Sequence, residues 1–290
     1  MAIKRLRDSQ AKDFLRESGF LAGKSIIIGG SSLFHGAPLL SLQAASRFNQ
    51  TVFFTSPESS LSQIASQTKR QLFSFIWVPF SQVESYLASV DIALIGPGFM
   101  RYSIQRKSLG QWQEPDKQVG EKTRRITERL LGNFVNLLWV IDAGSLQVIK
   151  KEIIPPGAII TPNNEEFKIL FGDDLSLLSL TDQIKVVTGR ARENNCLIVS
   201  KNPDSVIAYR DDYLVVSGGN RGLEKGGMGD VLAGLVMALS AKTKSPLLSS
   251  ATSVWLFKRA VEKLSLDQGL FYNADDLSAM IAFSASEYLG

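Results

Sequence analysis

Cysteine, histidine and long apolar runs are the scarce features of this chain. Among its 290 residues Cys196 is the single cysteine and His35 the single histidine. One cysteine allows no intrachain disulfide and no cysteine-built metal cage. In "NNCLIVSK" it stands at the head of an apolar run and reads as a small buried hydrophobe. One histidine means that any Ser-His-Asp arrangement must pass through His35, whose neighbours read as loop or ligand wall; no catalytic role is assigned to it. No apolar stretch is long enough to span a membrane, and none follows the charged, amphipathic "MAIKRLRDSQAKDFLRESG", so no signal peptide is expected. A cytoplasmic protein without a membrane partner is the expectation. Also missing are G-x-G-x-x-G and G-x-x-x-x-G-K-[ST], which removes the usual dinucleotide fingerprint and the Walker loop. No internal repeat and no low-complexity linker interrupt the chain.

What is present is the balance of a globular protein with a real core: 44% hydrophobic and 21% charged residues, at a net charge of +4. Basic residues thicken between Arg101 and Arg129, but Glu and Asp are interleaved there. A solvated helix explains that better than a groove for nucleic acid, and no nucleic-acid partner is expected.

Apolar runs at 24–30, 51–56, 73–78, 91–98, 137–144 and 158–163 alternate with amphipathic stretches such as "APLLSLQAASRFN" and "KTRRITERLLGNFV". Continuous apolar runs suit strands buried on both faces, and their alternation with helices predicts an α/β fold with a mostly parallel central sheet flanked by helices on both faces. After residue 195 the texture changes. "CLIVSK", "SVIAYR" and "YLVVSG" follow one another across short polar gaps, as strands joined by hairpin turns do. Helices are expected over roughly 229–241, 246–264 and 274–288. The chain reads as one domain over 1–290, with an N-terminal helical extension over about 1–22.

The segments with chemical promise follow the apolar runs, where ligands of such sheets bind. In "GLEKGGMGDVLAG", Gly226, Gly227 and Gly229 crowd against Asp230 at the mouth of a helix. Its carboxylate can take a proton from a substrate hydroxyl while the amides of Gly227, Met228 and Gly229 hold developing phosphate charge. The competing reading is a helix-start aspartate that complements the dipole, but that leaves the glycine cluster unexplained. In "TPNNEEF", Asn163 and Glu166 have the spacing to organise water around Mg²⁺; the same spacing is that of a capping box. Lys201 in "SKNPDS" is either a phosphate contact or an exposed turn lysine.

Taken in order, "GSSLFHGAP", "IGPGF", "VIDAGSL", "TPNNEEF", "IVSK" and "GGMGDVLAG" resemble the motifs of the ribokinase-like superfamily. Within it they resemble those of the ADP- or ATP-dependent NAD(P)H-hydrate dehydratases, from about Lys24 to the C-terminus. The resemblance implies a ribokinase-like fold and repair of hydrated NADH or NADPH, with ADP or ATP and Mg²⁺ required. The ring hydroxyl would be phosphorylated and phosphate then lost. Carried over by position, it makes Asp230 the catalytic aspartate, with Gly227, Met228 and Gly229 as its anion hole. Ala37, Gly98, Asn163, Asn164, Glu166 and Lys168 would line the substrate site, with Glu166 near the metal through water. Lys201, Asn202, Pro203, Asp204, Ser205, Asn220, Gly226 and Gly229 would hold the nucleotide. A homo-oligomer is compatible with the resemblance, and any epimerase would be on a separate chain.

Departures from the family pattern are Gly144 in place of the second aspartate of D-A-D, Asn202 after the lysine, Lys225 before the glycines, and Met100. Two other readings share the fold: a kinase of another small alcohol, and a non-catalytic paralogue that binds nucleotide or uses its basic 101–129 segment to engage a partner.

Overall fold

The computed structural model of the protein describes residues 3–17, 19–68, 74–102 and 117–289. The apolar runs become the strands β1 (Lys24–Ile28), β2 (Thr51–Thr55), β3 (Ile76–Trp77), β4 (Ile92–Ile95), β5 (Leu138–Ile141), β6 (Ile159–Ile160) and β7 (Leu197–Val199). Neighbours among these seven are parallel. The strands β8 (Ser205–Tyr209) and β9 (Asp212–Val216) then add as antiparallel neighbours, with the polar gaps "NPD" and "DD" at their turns. The order across the sheet is β3-β2-β1-β4-β5-β6-β7-β8-β9. Phe73, which begins one expected run, and residues 103–116 of the basic stretch lie outside the described residues.

The runs are apolar throughout because both faces of the sheet are covered. Ile27, Leu94, Val140, Ile159 and Leu197 point into one apolar layer. That layer is completed by α1 (Asp8–Glu17), α2 (Gly36–Ala45), α9 (Met228–Ser240), α10 (Pro246–Gln268) and α11 (Ala274–Leu289), with Leu61 of α3 (Ser60–Thr68). Their sequence neighbours Ile26, Ile28, Ala93, Ile95, Trp139, Ile141 and Ile198 point into the other layer. There they meet α4 (Val83–Leu87), α5 (Lys117–Asn133), α6 (Ala143–Leu146), α7 (Asn164–Phe171) and α8 (Leu180–Glu193). Cys196 is buried in this second layer, as its apolar setting predicts. On α5, Arg124 pairs with both Glu121 and Glu128, the solvated ion-pair pattern expected of the basic stretch.

The expected N-terminal extension is more than a helix. Before α1, Arg5 bridges Val215 in parallel, with the Leu6 N–H donating to the Val215 carbonyl at 3.0 Å and the Val215 N–H donating to the Lys4 carbonyl at 2.9 Å. The free edge of β9 supplies those groups, and the arm satisfies them. Ala11, Phe14 and Leu15 then bury the apolar side of α1 in the first layer. Asp8 accepts from the Trp255 indole at 2.9 Å and pairs with Arg259, tying α1 to α10.

The helix α9 is buried on nearly every side, and Gly234 is where α2 crosses it most closely. A Cβ there would lie 2.3 Å from the Ser41 carbonyl oxygen and 2.7 Å from its Cα. On an open helix Gly→Ala gains about 1 kcal/mol. Here the added methyl meets backbone, and overpacking of that kind costs about 1–3 kcal/mol. Gly234→Ala is therefore expected to lower the urea midpoint; an unchanged or higher midpoint would mean that α2 yields freely.

Candidate active site

The carboxyl ends of β5, β6 and β7 converge beneath the N-terminus of α9, and a cavity of about 690 Å³ opens there. That volume lies within the ~300–1,000 Å³ typical of small-ligand sites. Asn163, Asn164, Glu166, Lys201, Asn202, Pro203, Ser205, Asn220, Met228, Gly229 and Asp230 all border it, so most of the candidate residues meet at one place. Leu232, Val254 and Phe257 supply apolar wall. Six candidates do not border it: Ala37, Gly98, Lys168, Asp204, Gly226 and Gly227. Lys168 turns outward to Asp174 at 2.9 Å, and Asp204 turns to Arg5 at 3.3 Å and to Ser217. Gly98 packs on the loop after β1, where a Cβ would lie 2.6 Å from the Phe34 carbonyl oxygen. Ala37 is linked to α9 by Ser41, whose hydroxyl donates to the Asp230 carbonyl at 2.7 Å and lies 3.4 Å from the Ala37 carbonyl.

The glycines around Asp230 have separate physical causes. Gly227 is the N-cap of α9 with φ +87°, a conformation that side chains rarely adopt, and a Cβ there would also strike Leu40. Gly229 lies beside an ammonium, since a Cβ on it would sit 3.2 Å from Lys201 Nζ. Gly226 meets nothing within 4 Å and is exposed. The Met228 N–H donates to the Lys225 carbonyl at 3.4 Å. In the first turn of a helix the N–H of Gly229 has no intrahelical acceptor, which leaves it available to an anion.

Charge in the site is arranged around Lys201. Its ammonium, 15% exposed, donates to Asp142 Oδ1 at 2.5 Å. The same oxygen accepts from the Thr161 hydroxyl at 2.8 Å, and Asp142 is 1% exposed. Burial works against the ammonium of Lys201, but the charges of Asp142, Glu166 and Asp230 outweigh it and hold its pKa above the ordinary value. Asp230 goes the other way. Burial first, then the charge of Asp142, lifts its carboxyl to about 7, while Lys201 opposes the rise and Glu166 adds to it. A carboxyl poised near neutrality is suited to moving a proton.

Glu166 forms the capping box that its spacing allows, and it also borders the cavity. Its backbone N–H donates to Asn163 Oδ1 at 2.9 Å and its Oε2 accepts from the Asn163 N–H at 3.0 Å, which is a complete capping box. Its Oε1 accepts from Gln147 at 3.1 Å. Burial raises its pKa, with Lys201 pulling down and Asp142 pushing up. Both oxygens are engaged within the protein, and among the described residues no three His, Cys, Asp or Glu side chains cluster as a metal site would need. These residues fit Mg²⁺ held on ligand phosphates and water better than Mg²⁺ bound directly by protein.

Two of the departures have definite surroundings here. A Cβ at Gly144 would lie 2.2 Å from the Phe99 carbonyl oxygen, so no aspartate fits at that turn. Lys225 borders the cavity, and its ammonium donates to the carbonyls of Leu270 and Tyr272, the latter 2.7 Å away. One residue escaped the sequence reading altogether. Lys258 lies in "WLFKRAVEK", where it looks like the flank of an amphipathic helix; Arg259, Glu262 and Lys263 beside it hide the fact that it is buried. It is 3% exposed and borders the cavity.

Known proteins resemble this chain in sequence and in fold. The ADP-dependent (S)-NAD(P)H-hydrate dehydratase of Cenarchaeum symbiosum is 28% identical over 262 residues, covering 89% of this chain and 87% of the relative. The crystal structure of the ADP/ATP-dependent NAD(P)H-hydrate dehydratase from Bacillus subtilis, co-crystallised with ATP/Mg²⁺, superposes with a TM-score of 0.80 at 19% identity, covering 99% of each chain. Ribokinase from Thermotoga maritima superposes at 0.52 with 11% identity, covering 90% of this chain and 99% of that one, so the fold is ribokinase-like as the motif order implies. The family model described as NAD(P)H-hydrate dehydratase matches residues 25–282, and the protein belongs to that family.

Proposed function

We propose that the protein is an ADP- or ATP-dependent NAD(P)H-hydrate dehydratase, with Asp230 as its catalytic base. The observation that carries this reading is the Asp230 carboxyl, lifted to about 7 at the N-terminus of α9 and facing a nucleotide-sized cavity. Asp230 takes the proton of the ring hydroxyl as that oxygen attacks the terminal phosphorus of the nucleotide, and the shortened nucleotide leaves. The C–O bond then breaks with its electron pair going to phosphate, a far better leaving group than hydroxide. Loss of a ring proton restores the double bond of the dihydronicotinamide. The Gly229 N–H and the Lys201 ammonium face the charge that develops on phosphoryl oxygens. Mg²⁺ on the phosphates would supply further neutralisation, held by water that Glu166 and Asp142 orient.

Turnover of NADH hydrate with ADP or ATP and Mg²⁺, followed by the return of reduced-nicotinamide absorbance, tests the reading. A base must be ionised to act, so kcat/KM is expected to climb as pH rises through about 7 and to level off above it. No turnover with either nucleotide, alongside phosphorylation of a different alcohol in a metabolite mixture, would move the assignment to a kinase.

A further inference from the structure

We propose that Lys258 is a positioning residue that locks together the two loops forming the nucleotide wall of the cavity. The inference rests on the nucleotide reading given above. The Lys258 ammonium donates to the carbonyls of Asn202 at 3.1 Å, Pro203 at 2.6 Å and Val216 at 2.7 Å. An ammonium has three donors, and three backbone acceptors use all of them. Lys258 therefore has nothing left to offer a ligand and acts through the loops it holds.

Those loops are the turn between β7 and β8, which carries Asn202 and Pro203, and the segment leaving β9 after Val216, which leads through Gly218 and Gly219 to Asn220. Both are short, polar and without a side-chain core of their own. The lysine stem passes beside Gly219, where a Cβ would be 3.5 Å from Lys258 Cγ. One charge from α10 thus fixes the separation of two walls that a nucleotide must enter between. Fixing a binding loop before the ligand arrives removes an ordering cost from binding.

A neutral amine has only two N–H donors, so the three-carbonyl clamp needs the charged form. Burial lowers the Lys258 pKa to about 8, with Asp204 on the β7–β8 turn and Glu262 on α10 opposing that fall. Beyond them, Arg5 pairs with Asp204 and Arg259 with Glu262. Among these group types, an aliphatic ammonium is the one whose ionisation falls nearest to pH 8. The clamp is expected to loosen as pH rises through about 8.

The test is titration calorimetry of ADP and of ATP into the full chain between pH 7.5 and 9.5, for the wild type, Lys258→Met and Lys258→Arg. In the wild type, affinity is expected to weaken about tenfold across that range. Lys258→Met should bind about tenfold more weakly at pH 7.5 and should lose the pH dependence, with KM for the hydrated nicotinamide little changed. Lys258→Arg keeps the charge but not a single point with three donors, and should fall between them. Wild-type binding with a flat profile overturns the inference by itself, even if neither variant folds. So does Lys258→Met binding as tightly as wild type. If the wild type binds neither nucleotide, the nucleotide reading falls and this inference with it.

Discussion

Asp230→Asn is expected to slow turnover of NADH hydrate by about 10²–10⁴-fold, the usual contribution of a positioned acid–base group. Nucleotide binding should be largely kept, because the amide has the shape of the carboxyl and leaves the α9 N-terminus and Gly229 in place. The same variant should also be more stable at pH 8. The folded carboxyl has its pKa raised from 3.8 to about 7, so the native protein keeps a proton that the unfolded chain releases. Between about pH 4 and 7 the native state therefore binds more protons, and this group takes away stability as pH rises through that window. The full shift corresponds to ~4 kcal/mol, and partial contact with solvent reduces the expected gain to ~2 kcal/mol. Asn removes that cost, so Tm at pH 8 should rise while activity collapses. Near-full turnover in the variant would remove Asp230 as the base. A drop in Tm at pH 8 would show that its charge is solvated better than its surroundings suggest.

Lys201→Met is expected to damage both stability and the pH profile. The ammonium is the group that compensates Asp142, Glu166 and Asp230 together. Removing one partner of a buried pair typically costs ~3–5 kcal/mol, and three carboxylates are left behind here rather than one. Urea unfolding should report a loss of that order. Lys201 is also what holds the Asp230 carboxyl down, so without it the carboxyl climbs further above about 7. The acid limb of kcat/KM then moves to higher pH in whatever enzyme still folds. A lower urea midpoint with an unmoved limb would make Lys201 a structural residue only. Adding Asp142→Asn should restore part of the lost stability, because it removes the carboxylate in direct contact.

Much of this was legible from residue order alone. Both faces of the sheet are buried, so its strands are apolar at every position, and such runs announce themselves. The hairpin of β8 and β9 was visible because two polar gaps were too short for helices. Asp230 can be singled out because it follows a glycine cluster at a helix mouth; Lys201, Asn163 and Glu166 stand at strand ends with readings that stay open until the order of the motifs is considered. Other features depend on distances between remote parts of the chain. Lys168 and Asp204 stand in the right segments, yet ion pairs with Asp174 and Arg5 turn them away. The clamp by Lys258 joins residues more than forty positions apart. Arg5 pairs with a strand edge that no local pattern around it could reveal. The spacing of Asn163 and Glu166 is compatible with a capping box and with water organised around Mg²⁺; the capping box forms, and the side chain that completes it also borders the cavity.

The arm before α1 also sets an order of events during synthesis. Lys4 meets Tyr213 across 209 positions of chain. At roughly 5–20 residues per second, this arm waits about 10–40 s before its strand partner has been added. The apolar side of α1 waits longer still, because α10 and α11 are made after β9. For that interval α1 lacks the helices it packs on, and a ribosome stalled before α10 would hold a nascent chain in which this helix cannot yet dock.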